Sequence, residues 1–394
     1  MNEKVINEQI EEYIRNKEMA GGALVVRKNG DIVFENCWGY SDIQNQIPVT
    51  KDTVFRMASV SKAMSCVGFL KLVDSGKVTL EDKISDYIPE FKNPRVVSDE
   101  RFAPDKFSME AIPHLMEELK NGDIKTVSAE RELTVRDMIS HSCGLEMGIV
   151  GYLLAMQMDY KNDTIEERIK KYAAFPLDFQ PGAATGYCPR AAFDTLSRIT
   201  EIVSGKPFDI YMSEEVFQPL GMLSTSYRKI DGINENIAKL YTYENGKLVD
   251  VSGIKDIDGL GMIGDKYVSA SAGVYSTMKD FDRFVTMLGL GGTWNGEKIL
   301  SKEMVKQIGQ ETAYKHLEFS PGMSWGMGML IRQNPTLAKS ALKKGSYGWS
   351  GAYGTHFFVS PEDGITAAFC MNRENIGGSG SYISKRIEEM IYGG

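Results

Sequence analysis

The chain reads as an α+β protein (an α/β sandwich): one antiparallel sheet built from both termini with flanking helices, and a mainly helical segment inserted between the two strand groups. Three observations predict this. Near the start, Asn29-Gly30 joins the apolar-rich runs Gly22–Lys28 and Asp31–Asn36, the strongest short-range signal for a β-hairpin. Near the other end, His356–Val359 and Ile365–Met371 flank the turn Ser360-Pro-Glu-Asp-Gly364. Between them, from about Met64 to Ile254, helical periodicity and polar loops predominate. The expected division is residues 1–63 and 255–394 as an α/β sheet domain and 64–254 as a mainly helical domain, with a site at their junction.

Each element has a local reason. Ile6, Ile10, Tyr13 and Ile14 fall on one face of an N-terminal helix. Met57 to Val73 is apolar nearly all round, through Met64, Val67, Phe69, Leu70 and Leu72, and Gly76 supplies a C-terminal cap. Such a helix is buried. The Asn93–Val127 stretch reads as an insertion whose charged residues form a solvated surface. Thr134–Ser140 and Asp163–Tyr172 read as helices, and Ala191, Leu196, Ile199 and Ile202 mark a third. Trp325–Arg332 and the run after Gly345 add strands, and Ser379–Tyr392 closes the chain as a helix with Tyr382, Ile383, Ile387 and Ile391 apolar.

Composition narrows the function classes. Hydrophobic residues make up 42% and charged residues 25% of 394, as in ordinary soluble proteins. A net charge of −8 without a Lys/Arg run disfavours nucleic acid and anionic membrane as partners. Five scattered cysteines with no Cys-x-x-Cys pair read as reduced thiols in a cytoplasmic protein. The N-terminus carries no basic region followed by an apolar signal core. Four histidines, none in a His-x-x-x-His pair, argue against a zinc enzyme, and no cofactor is implied. No pattern specifies an oligomeric state.

The most informative residues are Ser59 and Lys62. Three positions apart on a helix, two side chains share a face. A serine hydroxyl becomes a useful nucleophile when a neighbouring base takes its proton, and an unprotonated lysine can be that base. Burial favours the neutral amine. Ser-x-x-Lys also occurs at Ser226/Lys229, Ser252/Lys255, Ser276/Lys279 and Ser340/Lys343, so spacing alone decides little. Only the first opens a buried apolar helix, whose dipole favours a developing oxyanion.

A third group is expected to reach the leaving atom. Tyr187 follows the Pro181-Gly182 turn and precedes an apolar-periodic helix. A tyrosine beside a cation loses its proton more easily and serves as acid or base. Downstream, the small residues of Gly348–Thr355 let a strand backbone approach a ligand closely.

Taken in order, these segments resemble the serine β-lactamase and penicillin-binding protein family, in its class C-like branch that includes family VIII carboxylesterases. Phe55–Lys62 resembles the nucleophile segment and Thr134–Leu145 the Leu-Leu-Thr-His-Thr-Ser-Gly-Leu region. Pro181–Tyr187 resembles the lead-in to Tyr-x-Asn, and Ser271–Phe281 the Gly-Gly-Leu-x-Ser-Thr-x-x-Asp segment, with Asn372 closing the last strand. The resemblance implies a β-lactamase/transpeptidase-like fold and a catalytic Ser59, Lys62 and Tyr187. It also implies an oxyanion hole from the N–H groups of Ser59 and Ala352. Trp349, Ser350 and Gly351 stand where the family carries Lys-Thr-Gly or His-x-Gly, as in its esterase branch, and are expected to bind substrate. Pro189 replaces the Asn of Tyr-x-Asn; Tyr160-Lys-Asn162 and Tyr243-Glu-Asn245 spell that motif but follow no Pro-Gly turn. The expected activity is hydrolysis of a small-molecule ester or amide through an acyl-enzyme, with esters favoured. A β-lactamase, a D-amino acid amidase or peptidase, and a slowly acylated binding or scaffold protein are the alternatives.

Gly322-Met-Ser324-Trp-Gly326 spells a nucleophile elbow. An α/β-hydrolase would need an acid and then a histidine downstream. No Asp or Glu lies between Ser324 and the last histidine, His356, so this reading is rejected.

Overall fold

Asn29 and Gly30 both take positive φ, 53° and 91°, as a two-residue type I′ turn requires. They join strands β1 (Gly21–Lys28) and β2 (Asp31–Asp42), which β3 (Ile47–Pro48) follows. A separate ladder pairs β4 (Val54–Arg56) with β5 (Tyr275–Thr277) across most of the chain. The C-terminal strands are β6 (Met323–Trp325), β7 (Leu330–Arg332), β8 (Tyr347–Ser350), β9 (His356–Ser360) and β10 (Ile365–Met371). Strand β1 lies between β2 and β10, with Val25 opposite Ala368. One eight-stranded antiparallel sheet results, in the order β6-β7-β8-β9-β10-β1-β2-β3. The two termini share a sheet. The computed structural model describes residues 1–158, 162–228, 236–253, 266–310, 312, 317–378 and 380–393.

The helices follow their sequence signals with adjusted ends. Helix α1 (Glu3–Arg15) buries Ile6, Ile10 and Tyr13. Helix α2 spans Val60–Asp74, three residues later than the periodicity suggests, because Ala58 has φ 45° and cannot be helical. Helix α3 (Val135–Ile139) opens on a capping box between Thr134 and Asp137. Helix α4 (Ile149–Met156) has no counterpart among the sequence-based expectations. Helix α5 (Ala191–Ser204) stops at Gly205, φ 72°. Helices α6 (Met278–Gly289) and α7 (Tyr382–Ile391) complete the set used below; the expected start of the last, Ser379, lies outside the described residues.

Why β1 is apolar at six successive positions follows from the layers. Leu24 and Val26 pack with Phe358 and Phe369 against α1 and α7, while Ala23 and Val25 join the cluster of α2 and α6 on the other face. A strand covered on both faces has no polar side to show. Helix α2 lies inside the larger cluster, with twelve of its fifteen residues buried, which explains the absence of a polar stripe. The insertion is closed by a short ladder between Arg95–Val97 and Thr126–Ser128. Within it, Arg101 pairs with Asp99 and Glu118. No helix among the described residues is long and apolar enough to cross a membrane.

Candidate active site

Ser59 stands at the N-cap of α2, and its side chain makes no capping hydrogen bond. An N-cap serine commonly spends its oxygen on the first turn; here the hydroxyl is left for other partners. It accepts from the Tyr187 hydroxyl at 2.7 Å and from Lys62 Nζ at 3.5 Å. Lys62 also donates to the Ser271 carbonyl at 2.9 Å and lies 5.0 Å from the centre of the Tyr187 ring. Lys62 as a whole is 1% exposed. Three groups able to exchange one proton thus meet around one oxygen.

The nucleophile is held by backbone. Met57 N–H donates to the Val274 carbonyl at 2.9 Å, and Ser61 Oγ accepts from Val274 N–H at 3.0 Å. Thr355 Oγ1 donates to the Met57 carbonyl at 2.9 Å, tying the turn after β8 to the residues before Ser59. A Cβ at Gly351 would collide with Thr355 Oγ1 and the Met57 carbonyl oxygen, so the close approach of these two segments requires glycine. The N–H groups of Ser59 and Ala352 make no hydrogen bond to another described residue. The positive φ of Ala58, directly before the nucleophile, is an unfavourable conformation of the kind that clusters at functional sites.

Tyr187 is fixed by aromatic contacts and by one histidine. Its ring centroid is 5.1 Å from Trp349, 5.2 Å from His141 and 6.2 Å from Trp325. His141 brackets the tyrosine along the chain. Its carbonyl accepts from Thr185 Oγ1 (3.0 Å) and Gly186 N–H (3.2 Å), and its Nδ1 accepts from Cys188 N–H at 3.0 Å. With Nδ1 an acceptor, the ring proton is on Nε2. Full burial, reinforced by the charge of Lys62, pushes the imidazole well below its ordinary range, so the ring is neutral.

The lysine has a comparable brace. Asp194, fully buried on α5, accepts from Ser271 N–H at 3.1 Å and Ser271 Oγ at 2.9 Å, and from the Tyr267 hydroxyl. Asp194 therefore holds the carbonyl that Lys62 uses. Burial pushes its carboxyl up, against the hydrogen bond from Tyr267, the charge of Arg168, the bond from Ser271 and the charge of Lys62. Neither His141 nor Asp194 was singled out from the sequence. His141 lay inside a recognised motif, but its partners are set by tertiary packing, and Asp194 offered no local signal.

The sequence-predicted residues divide. Ser59, Lys62, Tyr187 and Trp349 come together although they span most of the chain. Ser350 turns away: its hydroxyl is 2.7 Å from His356 Nδ1, whose Nε2 is 3.2 Å from Glu388 on α7. Trp349 is buried, and its indole N–H has no partner among the described residues. The rival pairs lack this setting. Ser276 hydrogen-bonds Thr225 while Lys279 is exposed, Ser340 and Lys343 lie in a loop, and Lys229 and Lys255 lie outside the described residues. Ser324 is a buried strand residue followed by a turn and β7, not by a helix. Tyr243 is on a hairpin strand, and Tyr160 lies outside the described residues.

The chain as a whole has known relatives. A family model described as Beta-lactamase matches residues 6–389. The chain belongs to the beta-lactamase family. It is 24% identical over 407 residues to the esterase EstB of Burkholderia gladioli, covering 97% of this chain and 93% of that protein. Over 377 residues it is 23% identical to a putative D-alanyl-D-alanine carboxypeptidase of Escherichia coli K12, covering 89% and 77%. EstCE1, a hydrolase with promiscuous acyltransferase activity, superposes with a TM-score of 0.79 at 21% identity, covering 99% and 98%. Within the beta-lactamase family, this chain is a serine hydrolase.

Proposed function

We propose that this beta-lactamase-family protein is a carboxylesterase working through an acyl-enzyme on Ser59. The observation that carries the reading is the 2.7 Å hydrogen bond from Tyr187 to Ser59 Oγ with Lys62 at 3.5 Å. As Ser59 attacks the ester carbonyl, its proton passes to the Lys62–Tyr187 pair, which returns a proton to the departing alkoxide. Water then attacks the acyl-enzyme by the reverse route. The N–H groups of Ser59 and Ala352 are the oxyanion donors, an assignment supported by their lack of other described partners. Helix α2 adds its dipole to this charge.

Ester preference rests on the wall. Trp349 offers a neutral indole N–H where the family carries a cation, so an acyl group bearing a carboxylate finds no ammonium there. The relationship to EstB supports the esterase reading; that to the E. coli carboxypeptidase keeps an amidase as the second. The site belongs to the junction of a sheet domain, 1–63 and 255–394, with a helical domain, 64–254. Five free thiols are in keeping with a cytoplasmic location.

Intact-mass analysis after a slowly hydrolysed ester tests this. The expected result is one acyl adduct on wild type, mapped to Ser59, and none on Ser59→Ala, with turnover lower by several orders of magnitude. An adduct mapped to Ser324 would sink the assignment.

A further inference from the structure

A cavity of about 410 Å³ opens beside Tyr187 and Pro189, within the range of small-molecule sites. Its outer wall comes from elements with no part in the chemistry. Phe102 and Phe107 belong to the 93–127 insertion, and Ile149 and Tyr152 to α4. Phe102 is anchored in a small buried cluster with Leu115, Ile149, Val150 and Leu153. Phe107, 44% exposed, meets the Tyr152 ring edge to face, centroids 5.9 Å apart and planes at 90°. Arg101 of the insertion pairs with Asp99 and Glu118, while its Phe102 and Phe107 line the cavity.

The acidic groups in the lining are Glu146 and Asp178, both already engaged, and its tyrosines, Tyr152 and Tyr187, add hydroxyls. Glu146 accepts from Arg190 Nε at 2.5 Å and Ala191 N–H at 3.1 Å. Asp178 accepts from the N–H groups of Met147 (3.0 Å), Gly148 (2.7 Å) and Gly151 (3.1 Å) at the start of α4. No Lys, Arg or His lines the cavity. An anionic group entering would find no cationic side chain in the lining to pair with; an apolar group would meet aromatic and aliphatic walls.

We propose that this cavity is the subsite for an uncharged alkyl or aryl group of the substrate, carried on the ester that Ser59 attacks, with Phe107 and Tyr152 as its outer wall. The proposal rests on the esterase reading of Ser59, and it identifies the substrate class as esters of bulky neutral acids or alcohols.

Two ester series test it on wild type, Phe107→Ala and Phe107→Glu. The acyl series is 4-nitrophenyl acetate, hexanoate and benzoate; the alcohol series is methyl, hexyl and benzyl acetate. In one series, wild-type kcat/KM should rise from the smallest group to the larger ones. That ratio should fall by about tenfold in Phe107→Ala, the discrimination an apolar pocket supplies per one or two carbon groups, and further in Phe107→Glu. The series that responds identifies which side of the ester the cavity holds. A ratio of two kcat/KM values within one variant does not depend on the fraction folded, so a partly folded variant still reports. Turnover with no size preference, or with ratios unchanged by both substitutions, overturns the subsite. Absence of turnover and of a Ser59 adduct with every ester overturns the hydrolase reading instead.

Discussion

The two faces of strand β8 carry different chemistry. Trp349 projects towards Tyr187, with ring centroids 5.1 Å apart, and forms an apolar wall beside the nucleophile. Ser350, the next residue, projects the other way into a buried polar group of His356, Glu388 and Arg332. Successive strand residues point to opposite faces, so a three-residue motif read as one substrate-binding unit is split by the pleat. The front face selects and reacts. The back face holds α7 against the sheet. Gly351, at the end, serves through its backbone alone, letting the turn approach Met57 and Ala58.

On the front face the largest expected effect comes from the hydroxyl of Tyr187. Phenylalanine keeps the ring contacts to Trp349 and His141 and removes only the group 2.7 Å from Ser59. Positioned proton transfer typically contributes about 10²- to 10⁴-fold. Tyr187→Phe should lower kcat for a short-chain nitrophenyl ester by that range with little change in thermal unfolding. A kcat within threefold of wild type would remove the tyrosine from the proton path and leave Lys62 as sole base.

Ser59, Lys62 and Tyr187 could be put forward as candidates from the sequence because each has a local cue, two residues at helical spacing inside an apolar run and a tyrosine behind a Pro-Gly turn, and because these segments follow the order of the family they resemble. The sheet was legible from local cues too, since Asn29-Gly30 and the turn Ser360–Gly364 between two apolar runs mark hairpins without distant partners. What supports the site was not. Asp194 is tied to Lys62 by hydrogen bonds through Ser271, 77 residues later in the chain. Phe102 and Phe107 sit in an irregular stretch, where periodicity carries no information. The direction of Ser350 needed the strand register, which depends on pairing with β9.

A smaller effect separates the front face from that of a β-lactam-hydrolysing relative. A charge-assisted contact to a carboxylate is worth about 1.5–3 kcal/mol, roughly ten- to a hundredfold. With Trp349 at that position, kcat/KM for nitrocefin should fall below that for a short-chain nitrophenyl ester by at least tenfold. If nitrocefin is favoured tenfold or more, the lactamase reading replaces the esterase one.

The smallest effect belongs to the back face and is seen in stability, not turnover. Burial pushes the Glu388 carboxyl up. The hydrogen bond and charge of His356, the charge of Arg332 and the bond from Ser340 outweigh it and hold the group below its usual range. A carboxyl lowered in the folded state binds fewer protons there than in the unfolded chain. Its stabilisation is therefore complete above the ordinary glutamate value of about 4.3 and is lost as pH falls through the lower folded value. Glu388→Gln keeps the shape but not the charge, so the variant should unfold at lower temperature near pH 7, by about 1–3 kcal/mol in stability. The two proteins should then converge on acidification below pH 4.3. Esterase activity per folded molecule should stay near wild type, since Ser350 and Glu388 lie behind the strand. Melting curves that remain parallel from pH 7 to 3, or a selective loss of kcat, would mean that the two faces of β8 act as one unit after all.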